Sequence, residues 1–429
     1  MSQPVLGIMT LYLNDRKQLE ERPIYARMIT EGRKLGLDVY VFTPSEVNHE
    51  RRLLLAQRYD PATHKWTRKW EAFPDMIFDR CRIQRSARFE ELKQFRIRYS
   101  HLVYLNRPIT NKWGVYQLLS KRAEFQPHLP ETILYEKVSD VLGMLKRRPL
   151  VYLKPINGTG GRGILRLEHS GKNASTFKVQ GRNQRRVIIR PRMIKSSQLG
   201  GLLKEWNLDH RYLVQEGIQL KLPNGRVHDY RMLVQKNAQG RWEKTGCAGR
   251  IGAQRSVTSN LHGGGRAASM DSLLQQWIPD EKLRQNVHKT AEKLSLSIAA
   301  YLEETFGTLC ELALDLAIDR KGKIYVLEVN PKPAREVFSQ IGEKEIYRQA
   351  VARPLEYALW VYRNKLNKTT DKKSALPQKE LEKEKTTANA ELPPPLMNTK
   401  AFIAEFAAPV EDIEAAETAN DKEATAYER

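Results

Sequence analysis

The chain has 429 residues, with 72 Lys and Arg against 50 Asp and Glu, so it carries a formal net charge of +22. At 41% hydrophobic and 28% charged residues it has the composition of an ordinary soluble protein of two or three domains. No apolar run approaches the ~20 residues of a membrane span, and three scattered cysteines, Cys81, Cys247 and Cys310, exclude a disulfide framework or a cysteine metal site.

The opening segment MSQPVLGIMTLYLND lacks a basic stretch followed by a long apolar one, so no signal peptide is expected and a reducing cytoplasm fits best. The basic excess needs an anion: nucleotide, nucleic acid, an acidic polymer or a phosphate-rich surface, unless it is only a solvated basic face. It is densest at KRR, residues 146–148, and at GRNQRRVIIRPR, residues 181–192.

In chain order, VLGIMTLYL predicts a buried strand, PIYARMITEGRKLG a helix ending near Gly36, and LDVYVFTP a second strand, with DMIFDRC another after Pro74. Strands alternating with helices predict a parallel α/β domain over residues 1–110. RRLLLAQRYDPATHKWTRKW is expected to form a hairpin turning at DPATHK, rather than a nucleic-acid patch with interleaved aromatics. A second region opens with the helix NKWGVYQLLSKR and the extended LPETILYE. PLVYLKPINGTGGRGILRLE then sets two strands around four glycines, and RYLVQEGIQL is a further strand. RVHDYRMLVQKN and RWEKTGCAGRIG read as an antiparallel pair, DEKLRQNVHKTAEKLSLSIAAYLEETFG as a long amphipathic helix, and CELALDLAID and IYVLEVN as strands joined by RKGK. From about residue 367 Lys, Glu, Ala and Thr dominate around PPP, with 13 acids against 9 bases, which predicts a disordered acidic tail. Inside it AFIAEFAAPVEDI, residues 401–413, reads as a short helix that docks on a partner or forms only transiently.

Two elements carry chemistry. Gly158, Gly160, Gly161 and Gly163 let backbone N–H groups approach a polyphosphate, and Lys154 on the preceding strand offers a point charge. The loop lacks the Lys-Ser/Thr of a P-loop, and the strand-like ILRLE after it does not suit a dinucleotide-binding turn, so alone it reads first as a hairpin turn. Further on, strand alternation puts Glu328 and Asn330 on one face, and the RKGK turn can bring Asp315 opposite them. Two carboxylates and an amide oxygen, with no His or Cys beside them, suit Mg²⁺, unless the pair is only a solvated hairpin face. That pair reverses the weighting of the glycine loop, since one element would hold phosphates and the other their metal.

Together, NK, LKPINGTGGRGI, VQEGI, DYRMLV, NLHGGG and LDLAID…LEVNPKP over about residues 105–340 resemble the ATP-grasp superfamily, an α+β fold in which two subdomains clasp the nucleotide. FDRC before NRPITNKWGVYQLL is similar, more narrowly, to the YheC/YheD spore-coat-associated family of endospore-forming bacteria. The resemblance implies an α/β pre-ATP-grasp domain over 1–110, a lid subdomain over 111–215, a C-terminal subdomain over 216–365 and the tail over 366–429. It implies that Lys112 and Lys154 hold the α- and β-phosphates of ATP and that residues 158–163, Thr159 included, close over the triphosphate. Gln215, Glu216, Gly217 and Ile218 would form the adenine hinge, and Asp229 would bind ribose or order that hinge. Arg231 would steady the γ-phosphate, Asn260 and Gly263 to Gly265 would lie near the transferred group, and Asp315, Glu328 and Asn330 would hold Mg²⁺, two ions, with Mn²⁺ as an alternative. Lys112 also reads as a plain first-turn lysine, and Arg231 as the surface partner of Asp229. His262, Arg266 and Arg335 are candidates for contact with substrate, His262 otherwise shaping its loop and the two arginines otherwise solvated.

The activity implied is an ATP-dependent ligase that activates a carboxylate as an acyl phosphate for attack by an amine, in sporulation or spore-coat formation. The alternative is an ATP-grasp protein kept as a coat scaffold, with the tail as the segment that meets a coat partner. Nucleic-acid binding through the basic body has no recognisable module behind it. Location follows from the same resemblance: cytoplasm, with association to the forming coat.

Overall fold

The computed structural model describes residues 3–366, except 83–85, 159, 171–174, 207, 209–210 and 262–263. The predicted tail, from residue 367 onward with its 401–413 segment, lies outside the described residues.

The first part of the chain contains β1 (Val5–Met9), α1 (Arg22–Lys34), β2 (Asp38–Phe42), β3 (Val47–Asn48), β4 (Leu53–Asp60), β5 (Lys65–Ala72), β6 (Met76–Asp79), α2 (Ala87–Arg98) and β7 (Val103–Tyr104). β1 lies between β2 and β6, parallel to both, and β6 continues parallel to β7. These strands are buried along nearly their whole length, as expected of parallel strands covered on both faces. Gly36, at φ +75°, ends α1 in the left-handed region that a β-carbon disfavours. The hairpin expected at residues 51–70 is present as β4 and β5, and it adds antiparallel strands to the sheet. The sheet is therefore mixed where the sequence reading expected a parallel one.

A six-stranded antiparallel sheet follows, after α3 (Lys112–Ser120). It comprises β8 (Thr132–Leu134), β9 (Leu150–Pro155), β10 (Ile164–His169), β11 (Thr176–Arg182), β12 (Ile188–Lys195) and β13 (Tyr212–Glu216), in the order β12-β11-β10-β9-β13-β8. The helices α4 (Val138–Arg147) and α5 (Leu199–Glu205) cover one face. Val151, Leu153, Leu165, Leu167, Val179 and Val214 point to that covered face. Strand alternation turns Tyr152, Lys154, Arg166, Gln180 and Arg182 to the other.

The third sheet has the order β16-β15-β14-β17-β18. Its strands are β14 (His228–Lys236), β15 (Trp242–Ile251), β16 (Arg266–Ser269), β17 (Glu311–Ile318) and β18 (Ile324–Asn330), with helices α6 (Met270–Trp277), α7 (Glu281–Phe306), α8 (Glu336–Gln340) and α9 (Lys344–Val361). One core joins α7 and this sheet, and Val115 and Leu119 of α3 pack into it. α9 crosses to the first sheet, where Val351, Leu355 and Ala358 share a core with Ile24 and Met28 of α1.

All eight positions of β17 are buried, so its two acids need partners inside the protein. Glu311 pairs with Arg80 and Arg335, and Arg80 also pairs with Glu21. Beside this group, buried Asp79 pairs with Arg96 and Lys332. The segment leaving β18 is fixed from the first sheet, because Asn106 Nδ2 donates to Pro331 O at 2.8 Å and Arg80 Nη2 to Pro333 O at 3.0 Å. The expectation that Arg335 grips a substrate carboxylate is thereby corrected. Arg335 is fully buried, and its guanidinium donates to Glu311 and to Ala350 O.

Candidate functional site

Between the second and third sheets lies a cavity lined by Lys112, Lys154, Gly158, Gly160, Gly161, Gln215, Glu216, Ile218, Asp229, Arg231, Asn260, Asp315, Glu328 and Asn330. Residues separated by more than 200 positions in the chain thus converge on one space. Gly163 and Gly217 stand just outside the lining, as packing positions. Thr159, His262 and Gly263 lie outside the described residues. Arg266 is exposed at the start of β16, away from the cavity lining, which leaves its expected substrate contact without support.

Asn111 caps α3, its side chain accepting from Gly114 N at 3.0 Å, and this sets Lys112 at the first helical position. Lys112 Nζ then reaches Gly158 O in the glycine loop and lies 3.6 Å from Glu328. Lys154 Nζ donates to Gln215 Oε1 at 2.6 Å, and Gln215 Nε2 to Thr132 Oγ1 at 3.0 Å. Burial lowers the Lys154 ammonium to about 8; Glu328 opposes the shift and Lys112 adds to it.

The glycine loop is held on two sides. A β-carbon on Gly161 would stand 2.3 Å from Asn260 Nδ2, and one on Gly163 would stand 2.3 Å from Gln184 Nε2. Gly160, Gly161 and Gly163 all have φ between +65° and +70°, so larger residues there would meet both strain and neighbours. At the hinge, a β-carbon on Gly217 would meet Leu150 Cγ at 2.2 Å, and the N–H groups of Glu216 and Gly217 donate to Glu131 O and Leu150 O. The Glu216 carboxylate is turned to Arg148, 3.1 Å away.

The floor is a row of cross-strand neighbours, in which β14, β17 and β18 set Arg231, Asp315 and Glu328 side by side. Arg231 grips Asp315 bidentately at 2.9 and 3.0 Å. Arg250, opposite Asp229 in the β14–β15 register, grips Asp229 at 2.7 and 2.6 Å and reaches Asp315 at 2.9 Å. Burial alone would raise the Asp315 carboxyl, but the two arginines outweigh it and hold it at about 2. Arg231 is therefore the partner of Asp315, not of Asp229. Sequence reasoning missed Arg250 as a floor residue, since only the strand register reveals it. It also missed His228, which lines the cavity with Nδ1 2.8 Å from Leu220 O and its ring against Trp277; burial lowers its pKa.

The donor set fits Mg²⁺ in kind and partly in geometry. Glu328 and Asn330 offer oxygens on the cavity side, and the buried Asn330 Nδ2 has no hydrogen-bond partner among the described residues. Both oxygens of Asp315 already accept from arginine, Oδ1 from Arg231 alone and Oδ2 from Arg231 and Arg250, so Oδ1 keeps a lone pair that a metal could use. Among the described residues no group of three or more His, Cys, Asp or Glu is set to hold a metal.

The sequence matches the family described as YheC/D like ATP-grasp over residues 101–361. Two Bacillus subtilis (strain 168) proteins are similar to it. The endospore coat-associated protein YheC is 27% identical, with 79% of this chain and 91% of that protein covered. The endospore coat-associated protein YheD is 26% identical, with 83% and 79% covered. Among solved structures, D-cycloserine synthetase DcsG is 14% identical with a TM-score of 0.48, over 83% of this chain and 98% of that one. The family match takes in α3 with Lys112, the glycine loop, the hinge and the strands of the Asp315–Glu328 pair, more than half of the chain, and the chain accordingly belongs to the YheC/D-like ATP-grasp family.

Proposed function

We propose that this protein is an ATP-dependent ligase that activates a carboxylate as an acyl phosphate and passes the acyl group to an amine. The observation that carries the reading is the single cavity in which Lys112, Lys154 and Arg231 face the oxygen donors Asp315, Glu328 and Asn330 beneath a glycine loop. Lys112 and Lys154 bind the α- and β-phosphates as point charges. Ile218 offers its N–H to adenine, because those of Glu216 and Gly217 are engaged within the protein. Asp229, locked to Arg250, orients that arginine rather than acting as a free ribose ligand.

A Mg²⁺ ion held by Glu328, Asn330 and Asp315 would neutralise phosphate charge as the γ-phosphoryl group leaves ADP. Arg231, released in part from Asp315, stabilises the equatorial oxygens of that group and then the acyl-phosphate oxygens. The carboxylate oxygen forms the new bond to phosphorus as the bond to ADP breaks. The amine nitrogen then attacks the acyl carbon, loses a proton, and inorganic phosphate departs. Glycine-loop closure, with Asn260 against Gly161, keeps water from the acyl phosphate.

The test is ADP release from purified protein with pooled carboxylates and amines, together with hydroxylamine trapping of the acyl phosphate as a hydroxamate. Absence of both ATP binding and ADP formation with every pool would sink the reading. The coat association of the two Bacillus subtilis relatives favours a second one, a coat component. A spore former carrying Glu328→Gln separates them, because a pure scaffold keeps its location and phenotype.

A further inference from the structure

Between Glu168 and Glu205 the chain holds nine Lys and Arg and no acid. The ligase chemistry does not use this excess, and seven of the nine stand on the β11–β12 hairpin. The hairpin turn lies against the glycine loop: Gly163 N donates to Asn183 O at 3.2 Å, and Arg186 Nη2 is 3.1 Å from where a Gly160 β-carbon would stand. Arg182 Nε donates to Arg186 O at 2.9 Å, while Arg186 Nε is buried without a partner among the described residues. Arg186 adopts φ +64°, a costly conformation for a residue with a β-carbon. Burial lowers the pKa of both Arg182 and Arg186; Arg162 adds to the shift in each, and Arg182 adds to that of Arg186. Three like charges are thus held together beside the loop. Of the three, Arg162 alone lines the cavity.

β12 carries three further cations, Arg190, Arg192 and Lys195, all exposed, with Arg192 opposite Val179 and Lys195 opposite Thr176 and so on opposite faces of the strand. β12 is the sheet edge, pairing among the described residues only with β11, so one side of its backbone has no strand partner there over eight residues, roughly 26 Å at ~3.3 Å per residue. Val187 and Met193 are 58% and 50% exposed beside these charges. An open edge supplies hydrogen bonds to another extended backbone, and the cations supply attraction to its acidic side chains. No aromatic side chain stands on β12 to stack a base, which disfavours single-stranded nucleic acid.

We propose that Arg162, Arg182 and Arg186, continued by β12, form a docking track for an extended acidic peptide that delivers its carboxylate to the cavity. The proposal rests on the ligase reading and names its substrate class. The experiment follows a fluorescent oligoglutamate peptide by anisotropy against the full chain, with an oligonucleotide of equal charge and an oligoglutamine peptide in parallel. Saturable binding of oligoglutamate alone is expected, weakened roughly tenfold or more by R190E/R192E and by Arg186→Glu. Circular dichroism monitors the fold, and the exposed positions of the double variant keep the test usable should Arg186→Glu misfold. Three results overturn the proposal. The oligonucleotide binds as tightly and displaces the peptide; the double variant binds the peptide unchanged; or Arg186→Glu weakens MgATP binding and leaves the peptide untouched. Peptide binding that responds to R190E/R192E without any ADP release would support the track and sink the ligase reading. ADP release with a small carboxylate but no peptide binding would do the reverse.

Discussion

Lys154 shows how a single side chain can be placed by its surroundings. Burial brings its ammonium to about 8, so in the free protein it loses its charge as pH rises through that value. A triphosphate alongside would favour the charged form and raise the pKa again. Nucleotide binding near pH 8 is therefore expected to take up a proton, and affinity to fall between pH 7 and pH 9.5. Titration calorimetry in buffers of different ionisation enthalpy checks both. Lys154→Met should abolish the uptake and weaken binding by about 10- to 100-fold; uptake that persists in the variant would assign the proton elsewhere. Lys154 was legible in the sequence, as a lysine closing an apolar strand before a glycine loop. Arg250 was not, because its role comes from the register that sets it opposite Asp229 and within reach of Asp315. In sequence it is one basic residue among 72.

Among the elements, the glycine loop is set by what flanks it. The β11–β12 turn lies on one side, and Thr258 and Asn260 on the other. Gly161→Ala would force a β-carbon into a φ of +70° and against Asn260 Nδ2, a strain of roughly 1 kcal/mol or more that falls mainly on the loop. Turnover is expected to drop at least about tenfold, with the melting temperature nearly unchanged; a steady-state assay beside a thermal melt reads both. The strands that carry the floor were legible because alternation and a short turn fix their pairing, and α7 because its apolar stripe is long. β11 and β12 were read only as a basic run, since charge and Pro191 mask the alternation of an edge strand. α9 was missed as well, for Pro354 sits inside it, where a sequence reading expects a helix to stop. Tertiary packing against α1 decides both its presence and its place.

Over the whole folded body, the buried ions behind the cavity tie the first sheet to the strands of the floor. Arg80 joins Glu21, beside α1, to Glu311 of β17 and to Pro333 O, three residues beyond Asn330. Its pairs are fully or nearly fully buried, and removing one member leaves charge without a counterpart. Arg80→Met is therefore expected to cost about 3–5 kcal/mol, read from urea unfolding, and adding Glu311→Gln should recover part of it. Glu21 and Asp79 give the same ties a pH dependence. Burial would raise both carboxyls, but Arg80 and Arg82 around Glu21, and Arg96 and Lys332 around Asp79, leave them below their ordinary values. A carboxyl depressed in the folded state adds stability above its unfolded pKa, about 4, and that stability is lost as pH falls through and below it. The part of the unfolding free energy that these ties supply should thus hold between pH 7 and about 5 and fall steeply below about 4. In Arg80→Met the drop should be shallower, because Glu21 loses the first of the cations that hold it down. An equal drop in both proteins would show that these ties do not set the acid limit of the fold.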